Sequence, residues 1–144
     1  MLSLGLVMVG CGPTARPAPD LSAPKPATYS INIADVTADP KDVATKLAEI
    51  ARRCWQNKVP AFEGLKLAEV KADAGRVEFK SVDPAKPKHL LVTVNGPGAT
   101  GGAGLTIGID QQDVPNAQPY IIGAVDQITR RPQSSCPKPN MAFS

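Results

Sequence analysis

The chain has 144 residues, of which 42% are hydrophobic and only 4% are aromatic. This length forms one domain of ordinary size, and the hydrophobic content excludes wholesale disorder. The formal net charge of +3 is mild. We therefore predict no nucleic-acid partner, because nucleic-acid binders concentrate far more positive charge. The 15 prolines are unevenly placed, which indicates a linker.

An uncharged apolar stretch, residues 2–9, opens the chain. It is too short to span a bilayer, which takes roughly 20 apolar residues. Its length suits the hydrophobic region of a secretory signal, about 7 to 15 residues. The stretch ends in Met8-Val9-Gly10-Cys11, which resembles the lipobox of bacterial lipoproteins: an apolar residue, a small or β-branched one, Gly or Ala, and then Cys. A first strand or a frayed end over residues 1–11 is the alternative.

The resemblance implies that the thiol of Cys11 receives a diacylglycerol and that residues 1–10 are removed as a signal peptide. Gly12, which follows the cysteine, resembles the outer-membrane sorting pattern of Gram-negative bacteria. We therefore expect a protein of the bacterial cell envelope, on the periplasmic side of the outer membrane. Its contact with the membrane would be made through acyl chains such as palmitate.

A proline-rich segment follows the cysteine. Residues 12–28 contain five prolines and almost no large apolar side chain. Proline fixes φ and lacks an amide donor, so we predict that no helix or sheet forms here. The predicted organisation is a lipid anchor and tether over residues 11–28, a globular domain over residues 29–137 and a C-terminal tail over residues 138–144. Such a tether, at about 3.1 Å per residue, would hold the domain up to roughly 50 Å from a membrane.

The domain begins with a predicted strand over residues 28–36, where apolar and polar side chains alternate. A helix is predicted next, with Asp39 as its N-cap and Pro40 in its first turn. The helix continues to about Trp55, which is predicted to be a core or rim anchor, with stacking on a sugar as the alternative. One face of this helix is apolar at three- and four-residue spacing: Val43, Leu47, Ile50, Ala51 and Cys54.

Alternating apolar residues predict further strands over residues 64–72, 76–82 and 105–110. Residues 89–95 are predicted to form a central strand that is apolar on both faces. Residues 119–125 are predicted to form the last strand, with a short helix through Thr129 as the alternative. One helix followed by a series of strands is typical of the α+β class. We predict one N-terminal helix packed on an antiparallel sheet of about five strands.

With Cys11 set aside for lipid, Cys54 and Cys136 remain as an even pair. An exported protein lies in an oxidising compartment, so we predict a disulfide between them. Metal ligation is one alternative, but the chain has no closely spaced histidines, since His89 is its only histidine. The other alternative is a hydrolase in which one of these cysteines pairs with His89 as a nucleophile.

The glycines Gly96, Gly98 and Gly101 match the pattern G-x-G-x-x-G. A dinucleotide site needs a helix after such glycines, whereas here more glycines and then an alternating strand pattern follow. We therefore predict a flexible hairpin loop over residues 96–104. A mobile loop of this kind can contact a partner.

Basic residues gather near the start of the central strand. Lys86, Lys88 and His89, with Lys80 nearby, are candidates to contact a phosphate or carboxylate, and a solvated loop is the alternative. The acidic residues are scattered, so spacing alone assigns no pair of them acid and base roles, and the sequence has no Gly-x-Ser-x-Gly motif. We predict a non-catalytic protein, without metal or cofactor, that contacts an envelope protein or a cell-wall polymer. The alternative function is a periplasmic ligand-binding or inhibitor module that uses the loop at residues 96–104.

Overall fold

The computed structural model describes residues 27–97, 104–114, 117–131 and 134–141. Their elements follow in the order β1 (Ala27–Ile33), α1 (Pro40–Ile50), β2 (Leu65–Lys71), β3 (Arg76–Ser81), β4 (His89–Asn95), β5 (Leu105–Gln112) and α2 (Gln118–Arg130). The strands form one antiparallel sheet in the order β1-β5-β4-β3-β2. The α+β class and the five-stranded antiparallel sheet are confirmed. The predicted signal peptide, Cys11 and nearly all of the tether lie outside the described residues.

A side-chain cap fixes the start of α1. Asp39 Oδ1 accepts a hydrogen bond from the Lys41 N–H at 3.0 Å, and the Asp39 carbonyl accepts one from the Val43 N–H at 3.0 Å. The first amides of a helix have no partners within the helix, so this cap stabilises the first turn. After Ile50 the chain makes one π-helical turn, Ala51–Trp55. This wider turn carries buried Cys54 and Trp55 into the core.

Residues 119–125 lie within α2, so the predicted strand is wrong and the alternative of a helix is the observed conformation. A short apolar run can be a buried strand or a buried helix, and its periodicity alone does not distinguish the two. Here the whole run from position 121 to position 125 is buried within the helix, including Gly123. The described part of the domain therefore has two main helices rather than one.

Gly123 lets the C-terminal segment, residues 134–141, pass close to α2. A Cβ built on Gly123 would lie 2.1 Å from the carbonyl oxygen of Lys138. The Asn140 N–H donates to the Pro119 carbonyl at 2.8 Å. Glycine is thus required at position 123 by the close approach of another part of the backbone.

The helices cover one face of the sheet. Helix α1 packs on β2, β3 and β4 and against α2. Strand residues that point toward the helices are buried, among them Leu90, Val92, Val94, Leu105, Ile107 and Ile109. Side chains alternate between the two faces of a strand, so the neighbours of these residues point to the opposite side, which we call the open face. No helix in the described part of the chain is long and apolar enough to cross a membrane.

Four of the chain's six aromatic residues meet in the core: Trp55, Phe62, Phe79 and Tyr120. The Trp55 and Phe62 rings are stacked with their centroids 4.6 Å apart. Tyr120 lies edge-on to both rings, at 6.5 Å from Trp55 and 6.0 Å from Phe62. Trp55 is only 1% exposed, so it is a core residue and presents no free ring face to a sugar.

The hairpin between β2 and β3 turns on a glycine. Gly75 follows a 3-10 turn, Ala72–Ala74, and has a φ of +65°. A Cβ built on it would lie 2.1 Å from the carbonyl oxygen of Val94. The Gly75 carbonyl in turn accepts a hydrogen bond from the Val94 N–H at 2.7 Å. Left-handed backbone and close approach to β4 both require glycine here.

We expect Gly75→Ala to destabilise the domain more than Gly64→Ala. Gly64 also has a positive φ, +78°, but its nearest neighbour is Lys88 Nζ, the end of a flexible side chain, at 3.2 Å. Both variants carry the left-handed cost of about 1–3 kcal/mol. Only Gly75→Ala also collides with backbone, which adds about 1–3 kcal/mol. Urea unfolding measures the difference, and equal free energies of unfolding for the two variants would contradict the expectation.

Candidate functional site: the open face of the sheet

Charged side chains on the open face form rows that cross the strands. The strand register defines three rows. The first basic row is Lys66, Lys80 and His89, and the acidic row is Glu69, Glu78 and Asp110. The second basic row is Lys71 and Arg76. Adjacent rows are two residues apart along a regular strand, which is about 6.6–6.8 Å. The sign of the charge therefore alternates along the strand direction.

On β2 and β3, each row places like charges directly opposite each other. The pairs are Lys66 with Lys80, Glu69 with Glu78, and Lys71 with Arg76. Like charges in this position destabilise an antiparallel pair, by roughly 0.2–1 kcal/mol each. An ion pair along β2, with Lys71 Nζ 3.8 Å from Glu69 Oε2, offsets part of this cost. Groups that lower the stability of a fold are typical of surfaces retained for a contact.

His89 and Glu78 make a close side-chain hydrogen bond between the first basic row and the acidic row. His89 Nε2 lies 2.6 Å from Glu78 Oε2, and both residues are partly buried. The hydrogen bond from His89 is the main cause that lowers the pKa of Glu78 below its usual 4.5. The positive charge of Lys80 acts in the same direction, and burial opposes it. Glu78 is therefore held in its charged form at neutral pH.

This pKa shift predicts a pH dependence on the acid side. The pKa of Glu78 is lower in the folded chain than in the unfolded chain. Its contribution to stability is therefore present above the unfolded value and disappears as the pH falls through the folded value. We expect Glu78→Gln to cost about 1 kcal/mol or less at neutral pH, and this difference from the unchanged protein to shrink below pH 4.5. Urea unfolding at a series of pH values measures it, and a constant difference would contradict the prediction.

The structure separates the three basic candidates at the start of β4. His89 lies on the open face, but Lys88 turns away, and its Nζ donates to the Glu63 carbonyl at 2.8 Å. Lys86 is exposed in the loop that precedes β4. Lys66 could not be recognised as a candidate from the sequence, because its position opposite Lys80 depends on the strand register. Only His89 among these three candidates therefore belongs to the charged rows.

The glycine-rich loop lies at the other end of β4. A Cβ built on Gly96 would lie 3.3 Å from Pro40 Cγ, which places Gly96 beside the start of α1. A strand of this length separates its two ends by roughly 20 Å. Gly98 and Gly101 lie outside the described residues. The described residues thus do not bring the basic loop and the glycine-rich loop into one site.

Cys54 and Cys136 form a disulfide, with their Cα atoms 5.7 Å apart. Cys54 is 6% exposed on the buried side of the π-helical turn, whereas Cys136 is exposed. Beside the bridge, Gln127 Nε2 donates to the Ser135 carbonyl at 2.7 Å. The bridge therefore ties the C-terminal segment to the helix layer.

A polar cleft of about 490 Å³ opens between α2 and the C-terminal segment. Charged side chains from both elements line it, including Asp126, Arg131 and Lys138, and Cys136 is part of its wall. One wall of the cleft is therefore held in place by the disulfide.

The two alternatives to a disulfide were metal ligation and a Cys–His nucleophile, and the described residues form neither site. No group of three His, Cys, Asp or Glu side chains in this part of the chain could hold a metal ion. His89 lies on the open face and contacts Glu78, whereas Cys54 lies in the helix layer. The sheet stands between them. The described part of the chain thus holds no Cys–His pair of the kind that a nucleophile requires.

Comparisons with protein-family models, with curated proteins and with solved structures found no match for this chain. The fold and the charged rows of the open face are therefore interpreted from their own geometry and chemistry.

Proposed function

We propose that this protein is a lipid-anchored protein of the bacterial cell envelope with a non-catalytic, structural role. It holds another envelope component on the open face of its sheet. The observation that carries the proposal is the set of like-charge pairs on β2 and β3. These pairs cost stability in the isolated domain, and a partner with matching charges would turn them into attractive contacts.

The location in the proposal rests on the N-terminal residues. Met8-Val9-Gly10-Cys11 resembles a lipobox, and the proline-rich segment that follows suits a tether. In this proposal Cys11 carries the lipid, residues 1–10 are removed, and the domain lies on the periplasmic side of the outer membrane. The Cys54–Cys136 disulfide supports the proposal, because disulfides persist in oxidising compartments such as the bacterial periplasm.

The alternating rows favour a folded envelope protein over a cell-wall polymer as the partner. A polymer whose charges are all negative would be attracted by the two basic rows but repelled by the acidic row between them. A folded surface can place charges of both signs at fixed positions, which gives register and specificity to a contact. Leu91, which faces both Glu78 and Asp110 across the strands, supplies an apolar point at the centre of the face.

Mass spectrometry of membrane fractions tests the anchor. The expected product begins at Cys11 and carries the mass of a diacylglycerol on that residue, with residues 1–10 removed. The control variant Cys11→Ser is expected to lose both the lipid and the cleavage. An unmodified Cys11 with the first ten residues retained would overturn this part of the proposal.

Photo-crosslinking in intact cells tests the contact face. A crosslinking amino acid at Leu91 is expected to capture an envelope protein, whereas one at exposed Glu49 on α1 is not. Capture of a glycan polymer at Leu91 would contradict the proposal of a folded protein partner and would indicate a cell-wall polymer instead. Equal capture at both positions would overturn the assignment of the open face.

We expect Lys66→Glu to stabilise the domain while weakening the contact. The substitution replaces a like-charge pair with an opposite-charge pair across from Lys80, which is worth up to about 1 kcal/mol. It also reverses one charge of the first basic row, so capture at Leu91 should fall. Lys138→Glu, in the exposed C-terminal segment, makes the same change in net charge on the helix side and should leave capture unchanged. Lower stability with full capture would contradict the prediction.

A further inference from the structure

We infer that β1, which is an edge strand among the described residues, offers its outer edge as an interface at which two copies of this chain join their sheets. The two copies pair β1 with β1 in antiparallel orientation about a two-fold axis, which makes one continuous sheet of ten strands. This surface is distinct from the open face, and it goes beyond the proposed contact with an envelope partner.

The two edges of the sheet differ in their protection against such pairing. On β2, the register shifts at a bulge between Leu67 and Glu69, and charged side chains flank it. Bulges and edge charges are the features that keep an edge strand from pairing with another chain. The β1 strand has neither: its seven residues are ATYSINI, without a charge, a proline or a register shift. An edge of this kind is a template for strand addition.

Apolar side chains of β1 are also left incompletely covered. Tyr29, Ile31 and Ile33 lie on the helix side of the sheet, level with buried Ile109, Ile107 and Leu105 of β5. Tyr29 nevertheless remains 36% exposed, and both isoleucines are only partly buried. A further strand beside β1 would cover their outer sides, and burial of apolar surface favours association.

The register that suits a second copy is centred on Ser30. In this register Ser30 lies opposite its own copy, Tyr29 lies opposite Ile31, and Thr28 lies opposite Asn32. Residues directly opposite each other share a face, so aromatic and β-branched side chains meet on the helix side and polar ones meet on the open face. No charge faces a like charge, and a two-fold axis gives both copies the same surface. Self-complementarity therefore favours a second copy over an unrelated strand.

Cysteine crosslinking tests the register in the full chain, with Cys11→Ser removing the thiol at position 11. Ser30→Cys places two thiols opposite each other across the axis, so mild oxidation is expected to yield a covalent dimer. Thr28→Cys is the matched control on the same face of the same strand. Its two copies would lie roughly 13 Å apart, which is too far for a disulfide. The control is therefore expected to stay monomeric on a denaturing gel.

Sedimentation gives the second measurement. The protein with native β1 is expected to be a dimer, and Ser30→Lys should weaken the dimer about tenfold or more, because it places two lysines opposite each other at the axis. Equal crosslinking of Ser30→Cys and Thr28→Cys would indicate random collision and overturn the inference. A monomer at all concentrations would overturn it as well, as would capture of a different protein at Ser30 in place of a second copy.

Discussion

Trp55→Ala is expected to lower the free energy of unfolding by about 3–5 kcal/mol. The ring is 1% exposed, is stacked on Phe62 and lies edge-on to Tyr120. Its removal would leave a cavity at the centre of the aromatic cluster. The stability of a whole domain is only about 5–15 kcal/mol, so the variant should be close to unfolding. Circular dichroism in urea is the measurement, because Trp55 is the only tryptophan and its fluorescence is lost with the substitution.

Two controls show that the effect belongs to the cluster. Val82→Ala removes a side chain that is 56% exposed and should change the stability by less than about 0.5 kcal/mol. Trp55→Phe keeps an aromatic ring against Phe62 and removes the indole N–H, which is buried without a hydrogen-bond partner among the described residues. A buried unpaired donor costs about 1–3 kcal/mol, so this variant should lie within about 1 kcal/mol of the unchanged protein. Equal losses for Trp55→Phe and Trp55→Ala would show that ring packing is not the cause.

The accuracy of the sequence interpretation depends on how locally each feature is determined. Asp39 and the apolar face of α1 could be identified because a cap and a helical repeat are properties of neighbouring residues. The strand before α1 alternates with period two, and β4 is a short apolar run, and both patterns are also local. In α2, by contrast, Gly123 is present because Lys138 passes close to it. Nothing in the neighbouring sequence indicates that contact.

The charged rows of the open face could not be predicted for a related reason. Lys66 and Lys80 lie 14 positions apart in the chain but directly opposite each other in the sheet. A shift of one residue in the register would move one of them to the other face, so their pairing depends on the bulge in β2. The link between Cys54 and Cys136 is also long-range. Three cysteines allow three pairings, and this one is singled out only if Cys11 is set aside. The fold is what brings the two Cα atoms to 5.7 Å.

Loss of the disulfide is expected to be the other large effect. Cys54 and Cys136 are 82 positions apart, and closing a loop of this length restricts the unfolded chain by about 4–5 kcal/mol in the chain-entropy model. We expect Cys136→Ser to lower the free energy of unfolding by about 2–5 kcal/mol. Urea unfolding in the Cys11→Ser background measures it. Reduction of the unsubstituted bridge should give a similar loss, since position 136 is exposed and tolerates a hydroxyl.

Substitutions at the two ends of the bridge should lower the free energy of unfolding by different amounts. The difference separates the effect of losing the crosslink from the effect of burial at position 54. Cys54→Ser breaks the same bond but also places a hydroxyl in a buried, apolar site, which adds about 1–3 kcal/mol. Hydrogen exchange at the Asn140 amide, which bonds to the Pro119 carbonyl, should accelerate in both variants as the C-terminal segment loses its covalent tie. If Cys54→Ser lowered the free energy of unfolding less than Cys136→Ser does, a buried hydroxyl at position 54 would not add the expected cost. Unchanged stability on reduction would mean that packing of the segment against α2 is sufficient without the bond.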